Sequence, residues 1–239
     1  MSCILHIETS TNVCSVALSQ DGTCLTHKES HEGPSHATLL APFVEEVLSF
    51  ADSHAIPLDA VAVSRGPGSY TGLRIGASTA KGLCYGRRLP LIAIPTLQLL
   101  CTPVLLYQEE LPDDALLCPM IDARRMEVYA ALYDRSLRET RATQADIVTA
   151  DTYHEYLDRQ PVYFFGNGAE KCREVIAHPN AHFIDNIYPA ARYMFPLAER
   201  ALGRKQFEDV AYFEPFYLKD FVAGTSKKIA ECLHAGGKS

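Results

Sequence analysis

The sequence predicts an α/β protein built from two related lobes. Three observations carry this expectation. Strand-like apolar runs alternate with helical stripes through the first third of the chain. A polar stretch from Gln108 to Asp114 then breaks both periodicities near the midpoint. Beyond it the opening pattern returns: Ile7-Glu8 is followed eleven residues later by Leu18, and Ile121-Asp122 eleven residues later by Leu132. Each copy reads as a strand ending in an acid, a polar turn, and a return strand that closes on Ala17-Leu18 or Ala131-Leu132, a duplicated β-hairpin unit.

The elements follow in order. Cys3 to Glu8 predicts the first strand and Val13 to Ser19 the second, and Asp21-Gly22 turns the chain into a third over Thr23 to Ser30. From His36 to about Ser53 the spacing becomes helical. Leu40, Val44, Val47 and Ala51 trace one stripe, with Leu39, Phe43 and Phe50 beside it, more apolar surface than a one-sided helix needs. Ala60 to Val63 predicts a buried strand and Leu73 to Gly86 a helix, joined by the turn Gly66-Pro67-Gly68-Ser69. A short strand at Leu89 to Ala93 and a helix from about Pro95 complete the first lobe. After its hairpin, the second lobe predicts a helix over Ala150 to Asp158 and a strand over Val162 to Phe165 that runs into Gly166-Asn167-Gly168. Helices are expected at about Glu170 to Ala177 and Pro189 to Leu202. The expected domains are an N-terminal lobe over 1–107, a C-terminal lobe over 108–222 and a flexible tail over 223–239.

Composition narrows the function. The 239 residues are 47% hydrophobic, an ordinary globular balance, and no apolar run reaches the ~18 residues a membrane helix needs. The N-terminus lacks the basic start and long apolar core of a signal peptide, so the expected location is cytoplasmic. Eight cysteines with no CxxC pair read as small buried hydrophobes, not as disulfides or zinc ligands. The net charge of −7 is opposite to that of a protein gripping nucleic acid by its phosphates. Arg65, Arg74, Lys81, Arg87, Arg88, Arg124 and Arg125 therefore read as solvated surface cations.

The turn into the 73–86 helix supports two readings. A glycine-rich turn exposing a helix N-terminus, capped by Ser69 or Thr71, is an anion site. Gly72, Gly76 and Ala80, four apart, also form a ridge without side chains that lets another helix approach closely. With neither a Walker lysine nor a GxGxxG pattern present, spacing leaves both open.

Paired lobes that each begin with a β-hairpin and a strand-end acid point to the actin-like ATPase fold, of the RNase H-like type. In that fold the hairpin turns cradle phosphate, and glycine lets backbone amides close around it. Here Glu8-Thr9-Ser10-Thr11-Asn12 has the hydroxyls but no glycine, and Asp122-Ala123-Arg124-Arg125 has neither. Glu8, Thr9, Ser10, Thr11 and Asp122 thus read as a degenerate nucleotide loop.

The stretch Gly66-Pro67-Gly68-Ser69-Tyr70-Thr71-Gly72-Leu73-Arg74-Ile75-Gly76 closely resembles the signature of the TsaB (YeaZ) family. Glu8-Thr9-Ser10-Thr11 with Cys14-Ser15-Val16-Ala17-Leu18 is similar to the family's opening, with Glu8 in place of the usual aspartate. Ile121-Asp122-Ala123-Arg124 with Glu127-Val128-Tyr129, and Glu214-Pro215-Phe216-Tyr217-Leu218, resemble its later blocks. The resemblance implies a non-catalytic dimerisation and activating subunit in the synthesis of N6-threonylcarbamoyladenosine beside the tRNA anticodon. Its implied partners are the larger catalytic paralogue TsaD, the ATPase TsaE, and tRNA through the complex, with a homodimer when it is alone. It implies no resident metal or cofactor, and ATP only weakly or at a site shared with partners. Docking through the first two helices favours the ridge reading and implies an interface of Leu40, Phe43, Val44, Val47, Thr71, Gly72, Ile75, Gly76, Thr79 and Ala80.

Two enzyme readings stand as alternatives. A glycoprotease-like metallopeptidase is suggested by His27-Lys28-Glu29-Ser30-His31, but on a strand residues four apart are separated by ~13 Å, too far to share one zinc. A small-molecule kinase of the same fold needs two phosphate loops and a base, for which Glu8 and Asp122 are the acids at hand.

Overall fold

Two five-stranded sheets of the same strand order form the core of the computed structural model, which describes residues 2–33 and 35–219. In the first, β1 (Cys3–Glu8), β2 (Cys14–Gln20) and β3 (Thr23–Ser30) make an antiparallel meander. On the other side of β1, β4 (Ala60–Gly66) and β5 (Leu91–Pro95) add in parallel, giving β3-β2-β1-β4-β5. The second sheet repeats this with β6 (Leu116–Asp122), β7 (Glu127–Tyr133) and β8 (Glu139–Ile147) as the meander. Here β9 (Val162–Phe165) and β10 (Ala181–Ile184) are the parallel pair. The duplication read from two short hairpin segments extends to whole sheets, as the actin-like fold requires.

The helices differ between the copies. In the first lobe α1 (His36–Ser53) and α2 (Tyr70–Arg87) cover the outer sheet face, burying Leu40, Val44, Val47, Ala77 and Ala80 against Leu5, Ile7, Val16 and Val63. In the second lobe, α4 (His154–Leu157) is a single turn. The helix expected at 170–177 is only the 3₁₀ turn Glu170–Cys172. Gly166-Asn167-Gly168 before it and Pro179 behind it leave too few residues for a helix to propagate beyond its nucleus. The helix expected from Pro189 starts later, as α5 (Phe195–Gly203), because Pro196 fits the first turn of a helix and no later position.

The lobes exchange their last helices. α3 (Thr96–Tyr107) follows the first sheet but packs Leu97, Leu100, Cys101 and Val104 against Leu117, Ile121, Ala131, Tyr133 and Phe165 of the second. α5 follows the second sheet and packs Leu197 and Ala198, with Met194, against Ile4, Ala60, Ala62, Ile92 and Ile94 of the first. A sequence boundary at 108 therefore separates the sheets, while each segment supplies a helix to the other's inner face. The tail expected at 223–239 lies outside the described residues.

After α5 the chain returns along the first lobe. Glu208 N–H donates to the Leu91 carbonyl (2.9 Å), covering the free edge of β5. Lys81 Nζ donates to the carbonyls of Ala211 and Phe213, each at 3.1 Å, and Phe216 N–H donates to the Arg65 carbonyl (2.6 Å). Lys219 then pairs with Glu127 on the second lobe.

Because the inner cores are shared, the two lobes are expected to unfold together. Leu100→Ala, which opens a cavity at a fully buried α3 site, should cost about 2–5 kcal/mol. It should lower a single calorimetric transition whose van't Hoff and calorimetric enthalpies agree. Two resolved transitions, only one shifted by the substitution, would contradict this.

Candidate functional site: the closed hairpin turn and the outer face of α2

The signature turn carries the chain from β4 into α2, with Ser69 as N-cap accepting a bond from Gly72 N–H (3.3 Å). This helix start is pressed onto the first hairpin turn. Ser69 N–H donates to the Ser10 carbonyl (2.7 Å), Thr9 Oγ1 donates to the Gly72 carbonyl (2.8 Å), and His36 Nε2 donates to the Thr11 carbonyl (2.7 Å). Glu8, Thr9, Ser10 and Thr11 are all buried. The glycines make the approach possible. An added Cβ would stand 2.3 Å from the Ser10 carbonyl oxygen at Gly68, 2.1 Å from that of Thr9 at Gly72, and 2.3 Å from Thr9 Oγ1 at Gly76. Gly66 contributes a left-handed φ of +107°, and a Cβ there would lie 2.6 Å from the Phe216 carbonyl oxygen.

This geometry corrects the expected interface. Gly72, Gly76 and Ala80 do form a ridge, but it faces inward onto the chain's own turn and sheet. Leu40, Val44 and Val47 are core as well. All six are buried within the chain, so none is open to a partner. Of the rest, Thr71 is exposed, and Phe43, Ile75 and Thr79 are half-buried.

The outward row of α2 is one that the sequence reading missed. Ser78, Gly82 and Gly86, also four apart, are exposed, and nothing lies within 4 Å of a Cβ built at Gly82 or Gly86. Beside them lie half-buried Ile75 and Leu83 and, from α1, Leu39, Phe43 and Phe50. The helical phase held the signal: Leu73, Ala77 and Cys84 set the buried side, and Ser78, Gly82 and Gly86 fall opposite it.

The strand-end acids fall into two unrelated environments. Glu8 is wholly buried; desolvation pushes its carboxyl up to about 7, against the downward pull of hydrogen bonds from Ser10 and Ser64. Asp122 is exposed on the other lobe and pairs with Lys171. Lys171 Nζ also donates to the carbonyls of Arg125 and Glu127 (2.7 Å each), and Asp122 N–H donates to Asn167 Oδ1 (3.0 Å). A lysine thus staples the second turn.

The histidines of β3 do not converge on a metal. His31 Nε2 meets Glu29 Oε1 at 2.6 Å, while His27 approaches Arg192. Among the described residues no three His, Cys, Asp or Glu side chains are grouped to hold one. Cys3, Cys14, Cys84, Cys101, Cys118 and Cys172 are buried free thiols and Cys24 is half-buried; Cys232 lies outside the described residues. Burial pushes Cys3, Cys14 and Cys84 up to about 11, which keeps them protonated and unreactive.

Comparison with known proteins places this geometry. The family model described as "TsaD: tRNA N6-adenosine threonylcarbamoyltransferase" matches residues 30–227. The chain is 31% identical over 227 residues to the "tRNA threonylcarbamoyladenosine biosynthesis protein TsaB" of Escherichia coli, covering 92% of this chain and 96% of that protein. The chain belongs to the TsaB family. A second TsaB, from Haemophilus influenzae, is 30% identical over 237 residues, covering 95% of this chain and 96% of that one. The solved structure of YeaZ from Pseudomonas aeruginosa superposes with a TM-score of 0.77 at 26% identity, covering 91% of this chain and all of that one. Family membership thus agrees with the two-lobed fold found here. Among the described residues no helix is long and apolar enough to cross a membrane.

The two glycine rows of α2 should respond oppositely to one methyl group. Gly72→Ala forces a backbone carbonyl to move and should destabilise by about 1–3 kcal/mol or more. Gly82→Ala, in open space on a helix, should stabilise by about 0.5–1 kcal/mol. Urea unfolding of both variants decides; a neutral Gly72→Ala would show that the turn does not seat on α2.

Glu8 should make stability depend on pH. Its folded value, near 7, lies above the ordinary 4.5, so the native state holds the proton more tightly. The stability this contributes is complete below about 4.5 and is lost as pH rises through 7, on the order of 3 kcal/mol in all. His6, pushed down to about 3 by burial, works with the opposite sign below 6.5, so wild type must be compared with Glu8→Gln at each pH. The variant should match wild type near pH 5 and exceed it at pH 8. Parallel curves would mean that Glu8 titrates as an ordinary carboxylate.

Proposed function

We propose that this chain is a subunit of the machinery that makes threonylcarbamoyladenosine in tRNA, and that it docks on and activates a catalytic paralogue without transferring the group itself. The observation that carries the reading is the closed first turn. The place where an actin-like enzyme would hold phosphate is filled by the signature helix, with Glu8, Thr9 and Ser10 fully buried. The names borne by its TsaB relatives supply the pathway. On this reading the partner is a TsaD-like paralogue, with a TsaE-like ATPase and tRNA joining in the complex. ATP binds, if anywhere on this subunit, at a surface shared with those partners, and the setting is the cytoplasm.

The docking surface is the outer face of α1 and α2. A partner helix can lie close along Ser78, Gly82 and Gly86, where no side chain stands in its way. Thr71, Phe43, Ile75, Thr79 and Leu83 flank that line and supply the apolar contact. A second copy of the chain can use the same face when the paralogue is absent.

The test is Gly82→Leu, made in the full chain and mixed with the paralogue. Pairing measured by co-purification should weaken at least about tenfold. The thermal midpoint of the isolated chain should hold, because the new side chain points into open space. The chain alone should modify no tRNA, and activity should return only on mixing. Normal pairing by the folded variant would place the interface elsewhere; transfer by the purified chain alone would make it an enzyme.

A further inference from the structure

A second concavity, of about 130 Å³, opens where the two lobes meet, between the end of β3, the C-terminal end of α3 and residues 186–193. Its walls are aromatic. Tyr107 stands edge-on to Tyr193 with ring centres 5.9 Å apart, and His31 stands edge-on to Tyr188 at 5.4 Å. Among these rings lie Glu29 and Arg192, an ion pair at 3.5 Å, with the guanidinium 4.7 Å above the Tyr193 ring.

Each member of this pair keeps one buried atom unsatisfied. The Glu29 side chain is only 10% exposed; Oε1 is bonded to His31, but Oε2 has no donor. Arg192 Nη1 reaches His27 at 3.4 Å, but the buried Nε–H has no acceptor. Buried polar atoms are almost always hydrogen-bonded, so an orphaned carboxylate oxygen beside an orphaned guanidinium N–H marks a place for a group offering both a donor and an acceptor. A cavity of ~150 Å³ holds a benzene ring, so this one takes a molecule of similar or smaller size. Water could bridge the polar atoms, but it would gain nothing from the tyrosine walls.

We propose that this pocket binds a small α-amino acid as its zwitterion. The ammonium group donates to Glu29 Oε2 among electron-rich ring faces that favour a cation. The carboxylate accepts from the Nε–H edge of Arg192, the edge of a guanidinium suited to two carboxylate oxygens. The side chain lies against Val104, Ile187 and Tyr107. Because β3 and α3 come from one half of the chain and residues 186–193 from the other, the bound molecule bridges the lobes.

The test is thermal unfolding of the full chain titrated with glycine, L-serine, L-threonine and L-valine. Propylamine and propionate, each carrying one half of the zwitterion, and free adenine and uracil serve as comparisons. At least one amino acid should raise the midpoint saturably, and the comparison molecules should not. Glu29→Gln should weaken the effect at least about tenfold. Tyr107→Ala, at a ring 68% exposed and therefore safe for folding, should weaken it as well. The proposal is overturned if no amino acid gives a saturable shift up to about 10 mM, if both variants bind like wild type, or if only the nucleobases bind.

Discussion

The packing of the glycine face of α2 onto the Glu8–Thr11 turn is the contact on which the first lobe depends. It joins β1, β2, α1 and α2 at one point through the carbonyls of Thr9, Ser10 and Thr11, which contact Gly72, Ser69 and His36. Each side needs the other. Without glycine at 68, 72 and 76 the helix could not come within reach of the turn. Without the turn, the helix face would bury no side chains and gain little from the core. Close packing of this kind tolerates almost no change in volume, so the region behaves as one rigid piece.

That rigidity bears on function. A phosphate-binding turn must present free amides and room for three oxygens. Here the room is taken by α2, and the acid at the strand end is buried deeply enough to favour its neutral form near neutrality. The second turn is closed by other means, with Lys171 bonded to Asp122 and to two backbone carbonyls of the same turn. Both halves of an ancestral nucleotide clamp are thus occupied by the chain's own atoms. What the molecule presents outward is a helix face with small residues along its crest, the property of a docking surface.

Much of the fold was legible because its strands and long helices are buried on a regular period. Strand β1, strand β3, helix α1 and strand β9 fall at the bounds their apolar spacing predicts. The losses have physical causes. β8 is an edge strand of mostly polar residues, Glu-Thr-Arg-Ala-Thr-Gln-Ala-Asp-Ile, and shows no apolar run. β10, only four residues long and nowhere fully buried, is no louder. The candidate site was legible in kind but not in phase. A ridge of small residues four apart was read from Gly72, Gly76 and Ala80, but the same spacing exists at Ser78, Gly82 and Gly86. Only the position of the sheet tells the two apart. Nothing local could have paired Glu29 with Arg192, which are brought together by the fold across more than half the chain.

The exchange of α3 and α5 between the lobes explains how a chain with so little helix in its second half remains well packed. α4 and the Glu170–Cys172 turn cover only the outer face of the second sheet, where Tyr153, Leu157, Cys172 and Ile176 meet Cys118, Met120 and Phe164. Its inner face is closed by α3, a helix that belongs by sequence to the first half. Hinge motion of the kind that opens and shuts an actin-like enzyme would have to pull Leu97, Leu100, Cys101 and Val104 out of that face. Each is nearly fully buried, and exposing such a side chain costs ~1.5–3 kcal/mol before any cavity is counted. A protein that works by opening a cleft would be poorly served by that arrangement. One that must hold a helical face in a fixed orientation for a partner is well served by it, and the shared core and the filled turn act toward the same end.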